Sequence, residues 1–352
     1  WGGERQAEGE AATGAECDAA TSERDPPAAA RKWMLMWAAR LGVSARGLRA
    51  VRGCTTGIGP GRLLDSTAEL IDNERYRVAA NMKHRPVRRV SQDRATQPGH
   101  TLVLDGWGPR TASLVDGCTY TLHAVDEATS YGWSKPTQAH TMADWLVFLR
   151  EVVAECAANG HTVHCVKVDQ AGELRSQQFA DMCAEQLGVL VLVGPRNHHE
   201  HVGAAEVQNN TLTRMAETMV ERARKGPGYI IVARAYAQLV LNTRPCYPDT
   251  TMSRTERFTG RRPDLSRRPM YVFGCDVMLP EDESARGPIG SLVRGRSTMG
   301  TLSGMRGGAY LVRRQPEGTI GTQRYVRPLN ESEMIGRGHV ADTHLRGHGT
   351  PE

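Results

Sequence analysis

The sequence predicts an α/β fold: a mixed five-stranded sheet flanked by helices, with a small helical region before it and a small β-rich appendage after it. Three observations carry that prediction. Three β-patterned runs, Thr101 to Trp107, Thr119 to Val125 and Tyr131 to Lys135, are joined by short connections with turn residues at Asp116-Gly117 and Asp126-Glu127, as an antiparallel meander requires. Two helix-strand units follow, Met142 to Ala157 leading into Val163 to Val168, and Leu174 to Leu187 leading into Val189 to Val193. Connections of that kind serve parallel strands, so the sheet is mixed and its helices cover its faces.

Taken in order, residues 1 to 30 are rich in Ala, Gly and Glu with almost no large apolar side chains, and read as disordered linker. A helix over Ala28 to Leu41 follows, with Trp33, Met36, Trp37 and Leu41 on one face and Gly42 closing it. Ser44 to Arg52 and Leu63 to Ala80 read as two further helices. With the basic run Lys83 to Arg89 they make up a helical region and linker over 31 to 95. The sheet and its helices occupy 96 to 262. Within that span a helix runs from Gly203 to Arg224, Gly226-Pro227-Gly228 breaks it, and another over Tyr229 to Leu241 offers Ile230, Ile231, Ala235, Leu239 and Val240 for packing. From 263 to 332 short runs at Tyr271 to Phe273, Tyr310 to Val312 and Tyr325-Val326 read as strands, and 333 to 352 as an unfolded tail.

Composition narrows the function classes. The net charge is +5, and only five lysines leave 39 of the 44 basic residues as arginine, whose planar fork suits phosphate; a codon bias toward arginine explains the excess equally well. Eight cysteines without a C-x-x-C pair or a preceding secretory signal fit free thiols in a reducing compartment. No apolar stretch approaches the ~20 residues of a membrane helix, so a soluble chain without a membrane partner is expected. A first residue of Trp1 reads as a processed product or a fragment of something longer.

Three acids stand where they can share one site. Asp105 follows the apolar run Leu102-Val103-Leu104, Asp169 follows the strand ending at Val168, and Glu206 lies in the first turn of a long helix. Carboxylates gathered in a partly desolvated cleft repel one another unless divalent cations neutralise them. Hard oxygen donors favour Mg²⁺ or Mn²⁺, and two such ions about 3.5–4 Å apart serve in-line phosphoryl displacement. Singly, each acid has a plainer reading, as a turn residue at a strand end or a first-turn partner of the helix dipole. Trp107 and Trp133 suit base stacking or a half-buried strand position equally. His198, His199 and His201 with Glu200 form a dense cluster whose neutral imidazoles are good zinc ligands, but adjacent histidines seldom point at one ion, which favours a flexible polar loop.

The order of elements is similar to that of RNase H-like cores, and particular phrases resemble the integrase segment of copia-type LTR retrotransposon polyproteins over roughly residues 33 to 330. "LVLDGWGP" resembles that family's strand with Asp-x-x-Gly-Pro, "VKVDQAGEL" its Ser-Asp-Asn-Gly-Gly-Glu-Phe phrase, and "HVGAAEVQNNTL" its Asn-Gly-Val-Ala-Glu-Arg-x-Asn-Arg-Thr-Leu phrase. "FTGRRPDLSRRPMYVFGCDV" is close to its Thr-Gly-x-x-Pro-Asp-Leu-Ser and Val-Phe-Gly-Cys phrases. The spacing of the acids, 64 positions from Asp105 to Asp169 and 37 to Glu206, is similar to that of integrase triads.

The resemblance implies an RNase H-like core, with Asp105, Asp169 and Glu206 as catalytic residues and ligands of two Mg²⁺ or Mn²⁺ ions. It implies strand transfer joining element DNA ends to target DNA, by a homo-oligomer that acts in the nucleus after a cytoplasmic assembly stage. Glu173 matches a family position with a structural or supporting role. Departures point the other way. Ala38 and Val43 stand where the family's zinc module has histidines, and its cysteine pair falls on Tyr76 and Ala79, so no structural zinc is expected. Gln170, Ala171, Val202, Val207 and Asn210 also differ from the family phrases, and the loss of basic residues at 207 and 210 lowers the expected hold on phosphate. The alternative is therefore a catalytically silent remnant that serves at most as a DNA-binding or assembly module.

Overall fold

Proline is tolerated in the first turn of a helix, where its missing N–H costs nothing, and Pro27 opens the first helix of the chain, α1 (Pro27–Leu41). The computed structural model describes residues 27–59, 61, 63–74, 95–169, 173–194, 203–246, 251–280, 297–306, 308–315, 318–332 and 334. Of the expected linker over 1 to 30, residues 27 to 30 are instead the start of α1, whose alanines favour helix, and the rest lies outside the described residues. The basic run 83 to 89 and the histidine cluster at 198 to 201 also lie outside them, as does the expected unfolded tail over 333 to 352 except Met334, which is buried in the core instead.

The buried stripe of α1 is Met34, Trp37, Ala38 and Leu41, whereas Trp33 and Met36 are only half-buried. All four residues of the expected face therefore meet the core, Trp37 and Leu41 inside it and Trp33 and Met36 packed on its edge. Gly42 adopts the left-handed conformation (φ +58°) that ends a helix without a Cβ penalty, and Val43 N donates back to Ala38 O at 3.1 Å. Ala38 and Val43 are packed in the core. Ser44 caps α2 (Ala45–Cys54) by accepting from Gly47 N at 3.0 Å. Its successor α3 (Asp65–Asp72) begins two residues after the expected start at Leu63 and is capped at Asn73, whereas residues 75 to 80 of the expected helix lie outside the described residues.

The central sheet has the order β3-β2-β1-β4-β5. Strands β1 (Thr101–Trp107), β2 (Tyr120–Asp126) and β3 (Gly132–Thr137) form the antiparallel meander, while β4 (Cys165–Val168) and β5 (Leu190–Val193) run parallel to β1. Buried Asp126 holds the β2–β3 turn by accepting from Thr129 N and Gly99 N, each at 2.9 Å. Helix α4 (Met142–Ala158) starts with a reciprocal capping box between Thr141 and Asp144, and α5 (Gln177–Leu187) runs from a Ser176 cap to left-handed Gly188. Between β4 and α5 lies a single turn, Glu173–Arg175.

Side chains alternate across a strand, so the two faces of this sheet are assigned separately. Leu102, Leu104, Leu122, Val166 and Val168 join Trp145, Leu149 and Phe179 of α4 and α5 in one apolar core. Val103 and Val125 point the other way and meet Ala205 of α6 (Gly203–Arg222). Each fully buried aliphatic or aromatic side chain of this kind contributes about 1.5–3 kcal/mol relative to exposure.

Helix α7 (Ile230–Asn242) packs beside α6 and between β3 and the second sheet. It is buried at Ile231 to Arg234, Tyr236 to Gln238 and Val240 to Asn242, more of its circumference than an amphipathic stripe predicts; Leu239 is its exposed edge, not part of the core. A short α8 (Arg254–Thr259) returns Phe258 to stack on Tyr131, with ring centroids 4.6 Å apart.

The β-rich appendage is a five-stranded antiparallel sheet ordered β10-β6-β7-β8-β9: β6 (Asp276–Pro280), β7 (Ser297–Arg306), β8 (Ala309–Arg314), β9 (Ile320–Gln323) and β10 (Arg327–Pro328). The expected strand at Tyr310 to Val312 lies inside β8. Tyr271 to Phe273 and Tyr325-Val326 are not strands: Val272 and Phe273 are buried core residues, and Tyr325-Val326 connects β9 to β10. One apolar core joins this sheet to α6, α7 and the N-terminal helices. Buried Arg222 of α6 donates to Glu74 and to Ala39 O, and Arg40 of α1 to Glu331 at 2.6 Å. The assembled chain is α/β, with a mixed sheet whose order is compatible with an RNase H-like core.

Candidate active site

The polar face of the central sheet starts from register. Thr101, Leu102 and Val103 of β1 pair in parallel with Cys165, Val166 and Lys167 of β4; continued by two positions, the same register sets Asp105 level with Asp169, one residue past the end of β4. Alternation assigns Asp105 and Asp169 to the same face, since Leu104 and Val168 belong to the apolar core on the other. That face looks toward α6.

Electrostatics agrees with the register. Burial pushes the Asp105 carboxyl above the usual carboxylate range, the Asn209 hydrogen bond and the Arg234 charge pull it back, and the Asp169 charge raises it further. The two aspartates therefore stand within reach of one another's charge. Glu206 is half-buried in the first turn of α6, next to buried Ala205. Asn209, three residues on and thus on the same side of the helix, donates its amide Nδ2–H to Asp105 Oδ2. Among the described residues, no three His, Cys, Asp or Glu side chains come together as a ready ion-binding group. Asp105 and Asp169 are brought together, and Glu206 is carried on the facing helix.

Around Asp105 lies a layer of buried polar side chains that sequence reading did not pick out. His123 is directly opposite it on β2 and fully buried. Its Nδ1 lies 2.9 Å from Trp133 O, and burial, with the charge of Arg234, brings its pKa down to about 3, so the imidazole is neutral. Gln208 donates to Ser130 O at 2.9 Å. Asn242 of α7 clasps the Gly132 backbone, accepting from its N at 3.1 Å and donating to its O at 2.8 Å. A Cβ at Gly132 would run into the side-chain ends of Gln208 and Gln238, which would have to shift to admit it.

Trp107, also on the Asp105 face, lies between two guanidinium groups, Arg110 at 4.7 Å and Arg234 at 4.6 Å from the ring centroid. Trp133 is different: it packs edge-on against Tyr131 and Phe258 in the core and offers no ring to a base. The Glu173 backbone opens the short turn after β4.

The donor set fits a hard divalent cation. Carboxylate oxygens from Asp105 and Asp169, with Glu206 on the adjacent helix, are donors that suit Mg²⁺ or Mn²⁺. Asp105 is the type of carboxylate a cation stabilises, being desolvated yet held by a neutral amide on one oxygen.

No family model matches this chain, and no curated protein matches it. Among solved structures, it is similar to a simian T-cell lymphotropic virus intasome in complex with the PP2A regulatory subunit B56 gamma. The identity is 12% and the TM-score 0.35, over 67% of this chain and 83% of that one. So loose a likeness does not assign the chain to a family.

Proposed function

We propose that this chain is an integrase of the copia-type retrotransposon kind, a polynucleotidyl transferase that joins element DNA ends to target DNA. The observation that carries the reading is the pairing of Asp105 with Asp169, level on adjacent parallel strands and facing the helix of Glu206, inside the phrases that resemble that family. Bound between such carboxylates, two divalent ions supply charge stabilisation for the attacking and leaving oxygens of an in-line displacement at phosphorus.

The chain's own residues prepare that site. Asp105 has its Oδ2 engaged by the Asn209 amide. Neutral His123 and the apolar contact of Val103, Val125 and Ala205 keep water from the inner side of Asp105. Arg110, exposed on Trp107, offers a guanidinium to a DNA phosphate. DNA ends and target DNA are the partners of this reading, a homo-oligomer its working form and the nucleus its place of action.

One observation favours the second reading, a silent remnant that binds or assembles without catalysis. Val207 and Asn210 are exposed on α6 beside Glu206, where the resembled phrase carries basic residues. Strand transfer of a labelled duplex in Mg²⁺ or Mn²⁺ separates the two. Joining is expected with the wild-type chain and not with Asp105→Asn; joining by that variant overturns the site. Absence of both cleavage and joining by the wild type supports the remnant.

A further inference from the structure

Arg234 has no exposed surface, and a guanidinium in that position is costly unless its charge is answered. It rises from α7 into the layer between α6 and β1. Its Nη1 donates to Asn209 O at 3.0 Å and to Thr213 Oγ1 at 2.8 Å, and its Nη2 donates to Asn209 Oδ1. The face of the guanidinium lies on Trp107. Its Nε has no hydrogen-bond partner, so the position is not built to satisfy the whole group; the fork is aimed at one turn of α6.

That turn presents Asn209, and the chemistry of the partners fixes which way its amide faces. Arginine has only donors and an ionised carboxylate only acceptors. With Arg234 on Oδ1, the Asn209 NH₂ has one direction left, toward Asp105 Oδ2. A flipped amide would set NH₂ against guanidinium and oxygen against carboxylate, two repulsions in a dry layer. Burial lowers the pKa of Arg234 to about 9, while the charge of Asp105 holds it up, so the fork stays cationic at neutral pH.

We propose that Arg234 is a positioning residue: acting through the locked Asn209 amide, it fixes the Asp105 carboxylate in the orientation that binds a divalent cation together with Asp169. This rests on the metal-site reading above and adds a residue from a different helix, 129 positions from Asp105 in sequence.

The test is Mn²⁺ binding to the full chain by titration calorimetry, with metal-free melting temperatures measured alongside. Arg234→Met removes the fork but keeps apolar volume against Trp107, and it is expected to weaken Mn²⁺ binding by about tenfold, the usual scale for partners that orient a ligand. Asn209→Ala is expected to do the same. The double variant should be no weaker than the worse single one, because the first residue works through the second. If Arg234→Met does not fold, Arg234→Lys keeps the charge without the fork, and the same loss is expected. Losses that multiply to about a hundredfold overturn the relay, as does unchanged Mn²⁺ affinity with a lowered melting temperature. A wild-type chain that takes up no Mn²⁺ removes the metal site itself, and the relay with it.

Discussion

The two faces of the central sheet are built from the same strands and do opposite work. Toward α4 and α5 the alternate residues are Leu102, Leu104, Leu122, Val166 and Val168, an apolar layer closed by Trp145, Leu149 and Phe179. Toward α6 and α7 the intervening positions include Asp105, His123 and Asp169, met from the helices by Gln208, Asn209, Arg234, Gln238 and Asn242. A strand has period two, so one backbone can hold a fold-stabilising surface and a chemical one a single residue apart. The polar face is expensive, since each buried polar group must find a partner, and atoms there, including Arg234 Nε and Gln238 Oε1, have none. On the proposed reading, this is the face that carries the chemistry.

Substitutions on each side sharpen that contrast. The largest effect is expected from Asp105→Asn, which should abolish strand transfer while leaving the fold intact, as judged by circular dichroism. Next is Phe179→Ala, on the apolar side, which should cost about 3–5 kcal/mol in denaturant unfolding through lost transfer energy and a cavity. Its joining activity per folded molecule should be unchanged. An activity loss in Phe179→Ala that exceeds its unfolded fraction would blur the division between the faces.

Smaller and opposite in sign is the effect of Asp105→Asn on stability. Burial raises the folded-state pKa of Asp105 above its unfolded value. Ionising it therefore opposes the metal-free fold: that stability is fully present below the unfolded pKa and is lost as pH rises through the folded one. The variant should melt above the wild type at neutral pH in chelator, and the gap should close as pH falls toward the ordinary aspartate range. A gap that widens on acidification reverses the assignment. The smallest effect belongs to Val207→Arg, which adds a cation to the exposed side of α6. It should strengthen DNA binding and steepen the salt dependence by about one ion. No change in slope would mean that DNA does not approach along that helix.

Much of this contrast was legible in the sequence, and the illegible part has physical causes. Strands β1 to β5 and their helices follow from period-two and period-3.6 patterns that local physics enforces, and the alternation of Leu104 with Asp105 and of Val168 with Asp169 already implied a shared face. The contact of Arg234 with Asn209 was not visible, because it depends on how α6 and α7 are turned against each other; an arginine inside an apolar run, Ile230 to Leu241, was the only signal. The α1 stripe was legible in part: Trp37 and Leu41 are buried and Trp33 and Met36 pack on the core's edge, but the smaller contributions of Met34 and Ala38 were not read from the pattern. Strands in the second sheet were missed at Asp276 to Pro280 and Ser297 to Arg306, the latter broken in pattern by Gly300, Gly304 and a register shift between Leu302 and Gly304.

The most direct test of the central claim is a crystal of the chain soaked in Mn²⁺ and measured at the manganese absorption edge. The account predicts anomalous density bounded by the carboxylates of Asp105 and Asp169, with Glu206 turned toward it from α6. Full manganese occupancy elsewhere on the molecule, with nothing between those two aspartates, would contradict it.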